Sequence, residues 1–410
     1  MLNHKAKLYG ENHMYVELAI VAFFIFVYSM IAGRIERSII SGPIVFVTAG
    51  LLMGPFGLGW FQGDTTNEDL RTLADLTLAL ILFIDAANAD LSVLKRQFRI
   101  PSRMLLLGLP GVIVLGFGFA VLIFDGLSVF EAAILATMLA ATDAALGKAV
   151  ISNESVPARL REGLNVESGL NDGICVPILL FFIALAISEE HGQSETSALL
   201  LVAQELGIGM IVGLGLALLG STLLHWCAKQ GWVTEIWVQL TVVGLAITSF
   251  ATAQSLHGSG YIAAFTGGML FGYLAKDETH HLVLAAEGTG EALALVTWML
   301  FGAMVIAPAF NLFDWQVVLY ALLSLTVIRV VPIYLSLAGT GESVANRLFL
   351  GWFGPRGLAS IVFAIIVINA KVPGAEYLAL VATCTVLLSL IAHGVSANPL
   401  AKWIGKQQNT

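Results

Sequence analysis

Charge is what this sequence has least of. Asp, Glu, Lys and Arg make up 12% of its 410 residues, about half of what a soluble domain needs to cover its surface. That shortage excludes a soluble enzyme and a nucleic-acid binder. Cysteine is nearly absent as well. Cys175, Cys227 and Cys384 are odd in number and scattered through apolar sequence, so they offer neither a disulfide framework nor zinc-ligand spacing. Proline is sparse, at 11 residues against 41 glycines, a balance suited to close-packed helices in lipid. What fills the chain instead is hydrophobic sequence, 58% of all residues, with a mean hydropathy of +0.87.

A bilayer core of ~30 Å takes about 20 mostly apolar residues per helix. That ruler predicts an all-α polytopic membrane protein with thirteen spans, beginning near Tyr15, Ile39, Leu70, Met104, Phe130, Gly163, Ala198, Thr234, Gly258, Gly290, Trp315, Asn346 and Tyr377. The connections are short, and no cleavable leader precedes the first span. With the N-terminus outside, only Lys5, Lys7, Arg71 and Lys371 fall in outer segments, while thirteen Lys and Arg residues fall in inner ones. This positive-inside bias puts the C-terminus in the cytoplasm. Lys148, Arg329 and Arg356 fall within or at the edge of spans.

The chain repeats itself. Residues 41–54, SGPIVFVTAGLLMG, match residues 259–272, SGYIAAFTGGMLFG, at seven positions that include Ser41/Ser259, Gly50/Gly268 and Gly54/Gly272. The same offset places Leu82-Phe83 on Leu300-Phe301 and Thr142 on Ser360. Spans 2 and 9 are separated by seven crossings, so they traverse the membrane in opposite senses. An inverted repeat of this type is characteristic of secondary transporters, which hold substrate at mid-membrane between broken helices.

Ionisable groups inside such spans are functional candidates by default, because each is costly unless paired or wetted. Span 6 carries Glu167, Ser168, Asn171 and Asp172 ahead of an almost wholly apolar run. At about 100° per residue these four share one helix face, spread over roughly 140°. Glu167 alone could be an ordinary polar helix end; Asp172 adjoins the apolar run. In span 5, Thr142-Asp143 sits between alanine-rich halves, and both residue types compete locally for backbone hydrogen bonds. A break there frees carbonyl oxygens for a small cation. Lys148 follows, either pairing with an acid or reaching the cytoplasm. Asp85, near the inner end of span 3, is either cavity lining or a solvated helix end. Arg329 needs an acidic partner, for which Glu167 is the candidate. Arg356 is expected at the start of span 12, and His257 and His393 read as structural.

Two carboxylates, a hydroxyl, an amide and freed carbonyls make an oxygen-rich site, which suits a hard cation. A carboxylate there holds a proton or a cation but not both, and that competition couples the two fluxes. The neutral amide of Asn171 makes a one-for-one, electrically silent exchange the simpler expectation.

Taken together, TDAALGKAV, NVESGLNDG, GSGYIAAFTGGMLFG and GWFGPRGLAS resemble the bacterial NhaP-type sodium/proton antiporters, in the electroneutral branch of the monovalent cation/proton antiporter superfamily. The resemblance covers nearly all of the membrane region. It implies a Na⁺ or Li⁺/H⁺ exchanger in which Asp172 carries cation or proton and Asp143, Ser168 and the main-chain oxygen of Thr142 complete the cation ligands. It also implies that Asn171 goes with electroneutral exchange and that a Glu167–Arg329 ion pair braces the site. Asp85, Arg356 and Ser360 stand as accessory candidates. The implied architecture is a thirteen-helix homodimer in the plasma membrane. Its core helices (about 103–188 and 315–403) move like an elevator against scaffold helices (about 14–100 and 197–307). No cofactor is implied beyond the transported ions. The match is imperfect at Lys148, where a neutral residue is expected, and at Asp85, which stands in for an acid of the third helix. The chain ends at Thr410, so no regulatory tail is expected. K⁺/H⁺ exchange on the same fold remains open. A cation channel lacks a filter-like motif, and nothing in the Asn-Asp context favours an intramembrane hydrolase acting through an Asp143–Asp172 dyad.

Overall fold

In the computed structural model every described element is helical. It describes residues 2–35, 40–60, 68–89, 99–151, 153–192, 194–275 and 279–407. The helices are α1 (Leu2–Ile35), α2 (Gly42–Met53), α3 (Glu68–Asn88), α4 (Arg99–Ile123), α5 (Val129–Met138), α6 (Ala144–Ile151), α7 (Ala158–His191) and α8 (Glu195–Lys229). They continue as α9 (Glu235–Ser255), α10 (Gly260–Ala275), α11 (Thr279–Leu300), α12 (Trp315–Leu325), α13 (Val327–Ser336), α14 (Val344–Trp352), α15 (Leu358–Asn369) and α16 (Ala375–Gln407). Seven of the described helical stretches are long and apolar enough to cross a membrane, and five shorter apolar helices accompany them.

Helices are the expected solution in lipid, where each backbone N–H and C=O must find a partner within its own segment. Side chains mark several helix starts. Ser128 accepts from Glu131 N–H at 3.2 Å while the Glu131 carboxylate accepts from Ser128 N–H at 2.6 Å, a reciprocal cap that fixes the start of α5. Asp314 and Ser343 cap α12 and α14 by accepting from Val317 N–H and Asn346 N–H. Within α4 a π turn at Met104–Gly108 comes just before Pro110, and α11 runs into a second at Phe301–Ile306 before Pro308. A proline cannot donate and crowds the preceding turn, and the wider π turn absorbs that misfit.

The two copies of the repeat start helices at equivalent residues, α2 at Gly42 and α10 at Gly260. Their shared glycines do the same job in each copy. A Cβ on Gly50 would strike the Met299 carbonyl, and one on Gly54 would crowd Ala303, so α2 lies backbone to backbone against α11 and its π turn. A Cβ on Gly268 or Gly272 would strike the carbonyls of Phe83 or Ala87, so α10 lies equally close to α3. Each repeat helix thus packs on a partner from the other half of the chain.

Burial sorts the helices by position. In α7 and α16, 56% of the apolar stretch is inside the protein, against 6% in α1 and 17% in α8. The first pair runs through the centre, while Leu18, Phe23, Met30 and Ile211 point outward. The sequence ruler placed the tenth span at Gly290; its helix begins at Thr279, because Thr279, His280 and His281 start it with polar residues that hydropathy passes over.

Candidate functional site

Two interruptions meet at the centre. The first, Leu139–Asp143, separates α5 from α6; the second, Phe353–Gly357, separates α14 from α15. They touch directly: Asp143 N–H donates to the Pro355 carbonyl at 2.8 Å, and the Asp143 carboxylate accepts from Leu358 N–H at 2.8 Å and from Leu146 N–H at 3.2 Å. Asp143 therefore caps α6 and meets the first amide of α15 at once, facing the positive ends of two helix dipoles. Only glycine fits beside it, since a Cβ on Gly357 would overlap its carboxylate.

Arg356 holds the complementary end. Sequence reading placed it at the start of a span. It lies instead inside the second break, fully buried, because the helical turns of α14 end before it at Trp352. Its Nη1 donates to the carbonyls of Ala140 and Ala141 at 3.1 and 3.2 Å, which lie in the first break just past the C-terminus of α5.

The polar face of α7 closes on the first break. Asn171 receives Thr142 N–H on Oδ1 at 3.2 Å, and its Nδ2 donates to Thr142 Oγ1 at 2.9 Å and to Glu167 Oε1 at 3.2 Å. Ser168 donates to the Thr142 carbonyl at 2.7 Å. Glu167 and Arg329 form a two-pronged ion pair, with Oε1 to Nη1 at 2.8 Å and Oε2 to Nη2 at 2.9 Å. Both side chains are 1% exposed. A small cavity reaches this point, with Thr142, Asp143, Ser168 and Pro355 at its polar end and Val150, Ile151, Leu164 and Phe353 along its wall.

Asp172 differs from its neighbours. It is buried and interacts electrostatically with Asp143, Asp85 and Glu167. Its Oδ1 is the one fully buried carboxylate oxygen without a hydrogen-bond partner among the described residues. Asp85 belongs to the same cluster: α3 lays its backbone against Gly169 of α7, and the Asp85 carboxylate senses Asp143 and also Glu287. Glu287 in turn accepts from Asn88 at 2.7 Å.

Of the residues singled out from sequence, the structure brings Thr142, Asp143, Ser168, Asn171, Asp172, Glu167, Arg329, Arg356 and Asp85 to one centre. Ser360 sits one turn into α15, and its hydroxyl donates to the Met138 carbonyl at 3.0 Å. It ties α15 to α5. The second break begins about one turn earlier than the repeat offset requires, so Ser360 is not the counterpart of Thr142. The Lys148 side chain lies outside the described residues. Sequence reading missed the Pro355 carbonyl and the Leu358 amide; the glycine-proline-arginine-glycine run was their signal, and only its assignment to a span end hid it. The donors present are carboxylates, a hydroxyl, an amide and carbonyls, a set suited to a small hard cation.

A family described as the transmembrane sodium/hydrogen exchangers matches residues 20–403. The chain belongs to that family. Among the relatives of this chain is the K⁺/H⁺ antiporter NhaP of Alkalimonas amylolytica, 26% identical over 393 residues, covering 93% of this chain and 65% of the relative. Another is the Na⁺/H⁺ antiporter of Schizosaccharomyces pombe, 22% identical over 406 residues, covering 91% of this chain and 85% of the relative. The chain thus spans less than two thirds of the length of the first of these. Its fold matches the sodium proton antiporter MjNhaP1 from Methanocaldococcus jannaschii with a TM-score of 0.76 at 20% identity, over 96% of this chain and 99% of that one.

Proposed function

We propose that this exchanger moves a monovalent cation, Na⁺ or Li⁺, against H⁺ across the membrane by letting the two compete for Asp172. One observation carries the reading: a buried carboxylate oxygen left without a partner beside two helix breaks. A buried anion needs a counter-charge, and none of the described residues supplies one at that oxygen. A proton neutralises it covalently; a cation does so with help from Asp143, Ser168 and the Thr142 carbonyl. The carrier crosses when loaded by either and stays put when empty, which yields antiport. Asn171 adds no charge, so one cation exchanges for one proton without net charge movement.

In this reading the helices at about 103–188 and 315–403 form the moving core. Those at about 14–100 and 197–307 form the scaffold and the face that pairs two copies, with the N-terminus outside and the C-terminus in the cytoplasm of a bacterial cell. Asp85, on a scaffold helix facing Asp172, would then stand still while the core moves past it. The K⁺/H⁺ alternative draws support from the names of relatives in Alkalimonas and Shewanella. Proteoliposomes loaded with a pH-sensitive dye test both: wild-type protein is expected to dissipate a pH gradient when Na⁺ or Li⁺ is added. A response to K⁺ alone reassigns the ion, and no response to any of the three removes the reading.

A further inference from the structure

One buried titratable side chain has no task in this exchange reading. His393 sits in the middle of α16, 2% exposed, one turn beyond the fully buried Ser389. Its Nε2 lies 2.9 Å from the carbonyl of Trp352, the last residue of α14, and its Nδ1 lies 3.1 Å from the Ser389 hydroxyl and 3.0 Å from the Ser389 carbonyl. A carbonyl oxygen only accepts, so the bond to Trp352 needs the ring proton on Nε2. With the proton there, Nδ1 accepts from the Ser389 hydroxyl. Ser389 Oγ in turn accepts from Arg356 N–H at 2.7 Å. The rings of Trp352 and Phe353 close against the imidazole, with centroids at 5.2 and 6.3 Å.

The result is a hydrogen-bonded chain from α16 that grips the second break on both sides, at residue 352 before it and at residue 356 within it. Residues 353–357 have no regular helix to hold them, yet the Pro355 carbonyl and Leu358 amide must stay within 2.8 Å of Asp143. The grip accounts for how they do. We propose that Ser389 and His393 are positioning residues for the cation site: they hold the second break in register, so that Pro355, Arg356 and Leu358 meet the first break where Asp143 needs them. His393 bonds no carboxylate among the described residues and acts through the backbone. The inference rests on the exchange reading and extends it to a helix that contributes none of the proposed cation ligands.

Cation-dependent exchange in proteoliposomes tests it, with Na⁺ as the probe, or K⁺ if the wild type prefers it. A misplacement of a fraction of an ångström at a site is expected to raise KM in H393A by about tenfold, and in S389A several-fold, with kcat within roughly threefold. Glutamine places its amide nitrogen where Nε2 stands and keeps the donor to Trp352, so H393Q is expected to bring KM back to within about twofold of wild type. Thermal unfolding is measured on all three. If stability falls while KM stays at the wild-type value, the histidine only packs and the proposal is wrong. It is equally wrong if H393Q is as impaired as H393A. If H393A does not fold, S389A and H393Q decide the question by the same KM criterion. A wild type that exchanges nothing removes the exchange reading, and this inference with it.

Discussion

Removing Glu167 tests how the site is braced. Its carboxylate makes three bonds inside the protein: two to the Arg329 guanidinium at 2.8 and 2.9 Å, and one to Asn171 Nδ2 at 3.2 Å. Arg329 is fully buried and its Nε already lacks a partner among the described residues. In Glu167→Ala the guanidinium therefore loses both carboxylate oxygens that hold it, while remaining fully buried. Breaking a buried pair from one side costs about 3–5 kcal/mol, because a bare charge is left behind. Removing both charges with shape kept is far milder, often neutral. We therefore expect E167A to lower the thermal unfolding midpoint of purified protein sharply, and E167Q/R329M to recover most of the loss. The double variant separates brace from ligand, since it restores stability while Asn171 still lacks its carboxylate partner. An E167A midpoint equal to wild type, or a double variant no better than the single, refutes the reasoning.

Asp172→Asn is expected to abolish cation-dependent dissipation of a pH gradient while leaving the unfolding midpoint and detergent elution profile close to wild type; residual exchange would place the carrier elsewhere. Competition for one carboxylate fixes the pH response. As the medium is acidified into the range where most sites hold a proton, the apparent KM for the cation should climb toward about tenfold per pH unit with kcat unchanged at saturating cation, and a falling kcat at constant KM contradicts competition. Asn171→Asp adds a charge that crosses with the core, so exchange insensitive to membrane potential in wild type should become sensitive in the variant, as read by clamping the potential with valinomycin. At the α3–α10 contact a Cβ on Gly268 meets the Phe83 carbonyl, while one on Gly288 meets open space. G268A should cost roughly 1–3 kcal/mol of stability through overpacking and G288A should be silent; equal midpoints for the two would show that the helices can part.

The positions of most helices, the break at Thr142-Asp143 and the shared face of Glu167, Ser168, Asn171 and Asp172 were legible because each is a local pattern: hydropathy over a run of residues, or polar residues at helical spacing. Helix ends were less legible. Hydropathy finds the part of a helix that lipid wets, so α11 was entered eleven residues late, past a polar first turn. The second break was misplaced for a related reason. Glycine and proline around Arg356 signal irregular backbone equally well at the end of a span or in its middle, and only the turns of α14 decide between them. The histidine grip was invisible: Trp352, Ser389 and His393 come together only when α16 folds back across the break.

The charges around the crossing show why the exchange reading settles on one residue. Glu167 cancels Arg329 within a closed pair. Arg356 meets the carbonyls just past the end of α5, and Asp143 meets the amide ends of α6 and α15, so these two also balance as a cation and an anion across the same contact. His393 Nε2 meets the last carbonyl of α14 at 2.9 Å. Every interrupted helix end thus has its own compensating group. Among the described residues, the acids outside this balance are Asp172, buried, and Asp85, half-buried on the facing helix. On the proposed reading, the Asp172 oxygen that no described group compensates is met by something that arrives and departs. A proton and an alkali cation are small enough to do so in turn, and in that reading exchange follows from their inability to do so together.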